Sequence, residues 1–181
     1  EIHYASLTEM TGKSASQLMY SYQEMIHYLL GRSNQKWLTF RYFPSSVEGA
    51  IHFFDVKRLF QIGSYLGWSC VVVSLWWLIR KAKTMTSDEA YQLYHAFRQW
   101  LILIAFIMIM ISVNFQYFFL KFHEFVFSND YWMMDPNTDP IILALPESYF
   151  FHALLAFVCL LIMGIISYLW FFKRKATTTQ G

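Results

Sequence analysis

The chain has 181 residues, of which 56% are hydrophobic, 20% aromatic and only 14% charged. A soluble domain carries about 25% charged residues, so an ordinary soluble fold is excluded and a single integral membrane domain over 1–181 is predicted. The net charge is +2, and no Lys/Arg run is interleaved with base-stacking aromatics, which leaves nucleic acid without support as a partner.

A short helix is predicted at Leu7–Met10, followed by an amphipathic helix over Ser14–Leu30. In the latter, Leu18, Tyr22, Met25, Ile26, Leu29 and Leu30 recur with a 3.6-residue period. Ser14 or Ser16 can cap its start, and Gly31 stands where a helix end favours a left-handed residue. Such a helix suits the outer membrane surface or a packing site on the outer loops. Trp37–Phe43 alternates loosely, as a short strand or an extended link, and Pro44 ends it. Ser45-Ser46-Val47-Glu48 reads as a capping box, with Glu48 as the acid three residues after the hydroxyl. The helix that follows carries His52 on its second turn and runs on into an apolar span. Asp55, at i+3, shares the face of His52. A carboxylate there is expected to accept an imidazole N–H, fix its tautomer and raise its pKa. Lys57 and Arg58 stand just before the span, placed to hold an anionic group or to snorkel to headgroups.

Three apolar segments read as spans, at 62–79, 100–120 and 150–172. Each approaches the ~20 residues needed to cross a bilayer. Arg80, Lys81, Lys83 and Arg98 lie between the first two, and Lys173, Arg174 and Lys175 follow the third. The 121–149 loop instead holds Glu124, Asp130, Asp135, Asp139 and Glu147 against Lys121. The excess of Lys and Arg marks the cytoplasmic side. The 80–98 connection and the tail are therefore expected inside, with 1–60 and 121–149 outside. An outer N-terminal segment needs a translocation signal. The expectation is a fourth, N-terminal span that is missing from these residues, with a cleaved signal peptide as the alternative. The predicted fold is thus an all-α membrane helical bundle with three visible transmembrane helices and an extracellular helical and loop cap.

His123 lies just after the second span and His52 just before the first. Antiparallel spans bring those ends to one face, so the two imidazoles are expected to meet at the membrane edge. Histidine is well suited to moving protons near neutral pH. If 45–79 is a straight helix, His52 stands roughly 15 Å above Ile62. A tilt, or a bend near Gly63, is then needed to level the pair. In the loop, Asp135-Pro136 and Asp139-Pro140 mark successive turns. Asp130-Tyr131-Trp132 sets an acid beside two interface aromatics, suited to covering a lipid-facing groove or simply joining two spans.

The residue pattern supports acyl transfer, with one histidine as base and the other serving the carbonyl oxygen. Haem ligation by paired histidines is the rival from another class, although it favours histidines within a span. Of the others, only His152 falls in a span's outer turn, and His3, His27 and His95 read as surface groups. A non-catalytic membrane binding or accessory protein is the remaining alternative. Cys70 and Cys159 form no C-x-x-C pair and read as small apolar packing residues. No zinc, nucleophile-elbow or phosphate-loop motif is present in the sequence.

Leu7-Thr8-Glu9-Met10, Glu48 to His52 running into Asp55-Val56-Lys57, and Asn129-Asp130-Tyr131-Trp132 with Asp135-Pro136, Thr138-Asp139-Pro140 and Pro146-Glu147 resemble the lipoprotein intramolecular transacylases. These are four-span membrane enzymes of single-membrane bacteria. The resemblance covers almost the whole chain and is most specific in the 121–150 loop.

It implies an acyltransferase that acts on a diacylated lipoprotein at the outer leaflet of the cell membrane. The sn-2 acyl chain of a diacylglyceryl-cysteine would pass from glycerol oxygen to the α-amino nitrogen of the same cysteine, giving the lyso form. By motif, the family's catalytic histidine pair would be His52 and His123. Asp55, Lys57, Arg58, Asp130 and Trp132 are the candidates for orienting or binding substrate. This chemistry requires no metal or cofactor, and membrane lipids are the other expected partner.

Overall fold

The computed structural model describes residues 2–178. Among these residues six α-helices form, in the order α1 (Ile2–Thr11), α2 (Ala15–Leu29), α3 (Val47–Lys81), α4 (Ser87–Val113), α5 (Phe115–Val126) and α6 (Glu147–Thr178). A 3₁₀ turn, Pro140–Ala144, precedes α6. No strand forms among the described residues, so Trp37–Phe43 is the extended link and not the strand. The chain is an all-helical membrane protein, as composition predicts. Among the described residues three helices, α3, α4 and α6, are long and apolar enough to cross a membrane. Their apolar stretches bury almost nothing inside the protein. Trp68, Ile79, Val113 and Trp170 are all more than half exposed, as side chains that meet lipid tails would be.

Two compact units are distinguished: Glu1–Ser69 with Lys121–Glu147, and Cys70–Leu120 with Ser148–Gly181. In the first, α2 starts at a reciprocal cap. Ser14 Oγ accepts the Gln17 N–H, and the Gln17 side chain accepts the Ser14 N–H at 2.9 Å. It stops at Gly31, whose φ is 71°. Its buried stripe is Leu18, Ser21, Met25, Tyr28 and Leu29, with Tyr22 half-buried. Ile26 and Leu30, expected in that stripe, remain exposed at its edge. The Tyr28 hydroxyl donates to the Lys36 carbonyl at 2.8 Å. That of Tyr22 donates to the Ala144 carbonyl at 2.5 Å. The cap region is thus a packed body, with Leu38, Phe40, Phe43, Phe53 and Ile141 also buried. The predicted helix at Leu7–Met10 forms within the longer α1. His3 falls where the side chains are not described.

The start of α3 differs from the local capping box. Helix geometry begins at Val47, and Ser46 Oγ accepts the Gly49 N–H at 2.9 Å, so Ser46 is the cap and not Ser45. The acid that accepts the Ser46 N–H is not Glu48. It is Asp139, whose Oδ1 lies 2.8 Å away and arrives from a loop 93 residues on. Beyond this cap, α3 continues without interruption through Gly63.

In the second unit, Thr86 and Glu89 form a reciprocal cap at the start of α4, and Lys81 reaches Glu89 at 2.9 Å. Met85, Ala90 and Phe172 are buried there, packed by Trp77, Phe97 and Tyr168. The rings of Phe97 and Tyr168 stack at 5.0 Å and 3°. The apolar run at 100–120 is not one helix: α4 ends at Val113 and α5 begins at Phe115. Asn114, with φ −150° and ψ 72°, breaks it, and its side-chain oxygen accepts the Tyr117 N–H at 3.1 Å. Cys70 and Cys159 lie on exposed faces and are not packing residues of the interior.

Candidate active site

His52 and His123 come together in the first unit. Their ring centroids are 6.2 Å apart, with 35° between the planes. His52 is supplied by the second turn of α3 and is 8% exposed. His123 comes from the last turn of α5 and is half-buried. The levelling that a straight helix put in question is therefore achieved without interrupting α3.

Phe127 holds the pair. It is buried, its ring lies 4.9 Å from His52 at 65° and 5.6 Å from His123 at 31°. Such separations are those at which aromatic pairs attract. Trp132 covers the other imidazole, 5.1 Å from His123. The pair therefore sits under an aromatic cover made by the loop that follows α5. Sequence reasoning passed over Phe127, although its spacing of four from His123 puts both on one helix face.

The role expected of Asp55 needs correction. Asp55 makes no hydrogen bond to His52. Its Oδ2 faces the Asn129 side-chain amide at 3.5 Å, a long contact. His52 Nδ1 is buried and has no hydrogen-bonding partner among the described residues. The expected rise in pKa is reversed as well. Burial, then the neighbouring His123 charge, pushes His52 down from 6.5 to about 4, and the opposing pull of Asp55 is weaker. Burial in a low-dielectric site disfavours the imidazolium, and a second imidazole at this distance adds like-charge repulsion. His52 is therefore neutral at pH 7.

The other candidates are not all gathered here. Lys57 Nζ lies over the Tyr28 ring at 4.2 Å. It sits five residues after His52, roughly 140° around the helix. Arg58 is exposed. Asp130 is exposed too, and its carbonyl accepts the Met133 N–H at 3.0 Å. Of the candidates, His52, His123 and Trp132 form one cluster, and Asp55 borders it through Asn129.

Three membrane-crossing helices and a pair of close imidazoles under an aromatic cover define a multi-pass membrane protein with a site suited to proton transfer. The sequence model of the lipoprotein intramolecular transacylase Lit matches residues 1–150, and the chain belongs to that family. It is accordingly an acyltransferase, which displaces the haem and accessory-protein readings. Among solved structures, it is similar to the membrane integral lipoprotein intramolecular transacylase Lit from Bacillus cereus. The identity is 27% and the TM-score 0.87, covering 99% of this chain and 81% of that one. A form of the Bacillus cereus protein with a histidine-to-alanine mutation matches at 26% identity and a TM-score of 0.79, covering 99% and 80%. No curated protein matches by sequence.

Proposed function

We propose that this acyltransferase moves the sn-2 acyl chain of a diacylglyceryl-cysteine lipoprotein to the α-amino group of the same cysteine, with His52 and His123 as the acid/base pair. The observation that carries this reading is the pairing itself: a buried, neutral imidazole 6.2 Å from a more accessible one. An α-amine has a pKa of about 7.7–8.0, so a useful fraction is neutral near pH 7. That nitrogen attacks the ester carbonyl carbon and a C–N bond forms. The nitrogen of the tetrahedral adduct then gives up its proton to His52. The C–O bond to glycerol breaks, and the departing oxygen takes that proton. The products are an amide and a free sn-2 hydroxyl, so atoms and charge balance without an outside reactant.

Neutral His52 can accept the proton, and its conjugate acid, depressed to about 4, gives it up readily to an alkoxide. The Nδ1 without a partner among the described residues suits a group that exchanges hydrogen bonds with substrate. His123 serves the carbonyl oxygen as charge develops on it. Because amine and ester belong to one molecule, positioning supplies much of the rate. In this reading Trp132 covers the reacting centre, and Asp55 borders it through Asn129. The site works at the extracellular face, on an ester in the outer leaflet, since the loop that carries Trp132 is the acidic one.

A crossover experiment tests the reaction. Two diacylated lipopeptides of different peptide sequence are mixed with the purified protein, one with an isotope-labelled sn-2 chain. The expected products are lyso forms in which each label stays with its own peptide. Scrambled labels would remove the intramolecular reading. Conversion of a lipopeptide whose α-amine is acetylated would remove the amine as acceptor.

A further inference from the structure

The loop after α5 is fastened along one ridge of α3 and its cap. The cap residue Ser46 and the helix residues Gly49, His52 and Asp55 stand at intervals of three, and each is met by the segment that follows α5. Phe127 packs on His52, Asn129 faces Asp55, and Asp139 holds Ser46 and closes over Gly49. The far fastening is the most constrained. Asp139 is 3% exposed. Its Oδ1 accepts the Ser46 N–H at 2.8 Å, and its Oδ2 accepts the Thr138 hydroxyl at 2.9 Å. A Cβ on Gly49 would stand 2.3 Å from Oδ1 and 2.8 Å from Cγ. Real Cβ atoms do not approach so closely, so the carboxylate occupies the space that the glycine leaves. An acid at this helix start is also favoured by the helix dipole.

We infer that Asp139 is a positioning residue for the transfer reaction: by capping the helix that carries His52 with the loop that leaves His123, it fixes the two imidazoles at working distance. This rests on the assignment of the pair to acid/base work. Asp139 touches neither ring and acts through the Ser46 hydrogen bond. Loss of that bond lets the first turns of α3 shift against the loop. A misplacement of 1 Å at a reacting centre costs about 100-fold in rate, so the effect falls on kcat, with KM little changed.

The test is kinetics on purified full-length chain with diacylated lipopeptide, for D139A, D139N, G49A and the double variant G49A/D139A. D139A is expected to lose about 10- to 100-fold in kcat. D139N keeps an oxygen for the Ser46 N–H and should stay within about threefold of the parent. G49A, which forces the carboxylate aside, should match D139A. The double variant should be no worse than D139A, because the crowding atoms are gone; groups in one contact do not add. Additive losses, an equal fall in D139A and D139N, or D139A at parental kcat would overturn the inference. Should D139A not fold, D139N against G49A decides: a D139N loss above tenfold, or a G49A at parental kcat, overturns it. Full activity in H52A would defeat the site reading itself, a failure distinct from any of these.

Discussion

In the proposed reaction His52 is the base, and its titration gives a signed expectation. The folded chain holds its pKa near 4 against an ordinary 6.5. Between those values the unfolded chain binds more protons than the folded one. Stability contributed by neutral His52 is therefore present above 6.5 and is lost as pH falls toward 4. Catalysis follows a different limb. The rate should rise with pH as the substrate amine, with a pKa of about 7.7–8.0, loses its proton. No inflection near 6.5 should come from His52. A kcat/KM profile with an inflection at 6.5 that vanishes in a His52 variant would contradict the buried-imidazole account. The neighbouring ring has its own consequence. F127A removes the surface shared by both imidazoles, and kcat should fall by about 10- to 100-fold with little change in KM. A parental kcat in that variant would show that the aromatic contact does not hold the pair.

At the scale of elements, local signals were legible where one stretch of chain supplies both partners. Ser14 with Gln17, and Gly31 at positive φ, end α2 as sequence rules direct. The same logic failed at α3. Ser45-to-Glu48 had the right spacing, but Asp139 is buried against the helix start and wins the Ser46 N–H from a distance no local rule can see. The break at Asn114 was hidden in a charge-free run, because hydropathy averages over a window while one side chain capping its own backbone decides the helix end. Asp55 at i+3 looked like the partner of His52, yet same-face spacing does not guarantee a bond, and Asn129 stands opposite its carboxylate. The packing of α2 carries a stability prediction. Leu18 is fully buried, so L18A should cost roughly 2–5 kcal/mol, read as a lower thermal midpoint of the detergent-solubilised protein. An unchanged midpoint would mean that α2 does not pack on the cap as described.

At the scale of the whole molecule, the apolar runs were readable from sequence, since spans are a matter of length and composition. The pairing of His52 with His123 followed from span parity; the aromatic cover did not, because it depends on how the loop folds back. The basic 80–98 connection should face the cytoplasm and the acidic 121–149 loop the exterior. A cysteine at Asn137 should react with a membrane-impermeant maleimide on intact cells, and one at Ser87 only after permeabilisation. The converse pattern would place the site on the wrong leaflet for this reaction.

The transfer itself gives the most direct test. Purified H52A and H123A, each shown to be folded, are incubated with a diacylated lipopeptide, and the products are resolved by mass spectrometry after fragmentation of the N-terminus. Loss of an acid/base group is worth about 10²- to 10⁴-fold. The parent should yield N-acyl lyso-form product, and each variant should fall by at least the lower of those factors. Parental amounts of lyso form from either variant would contradict it.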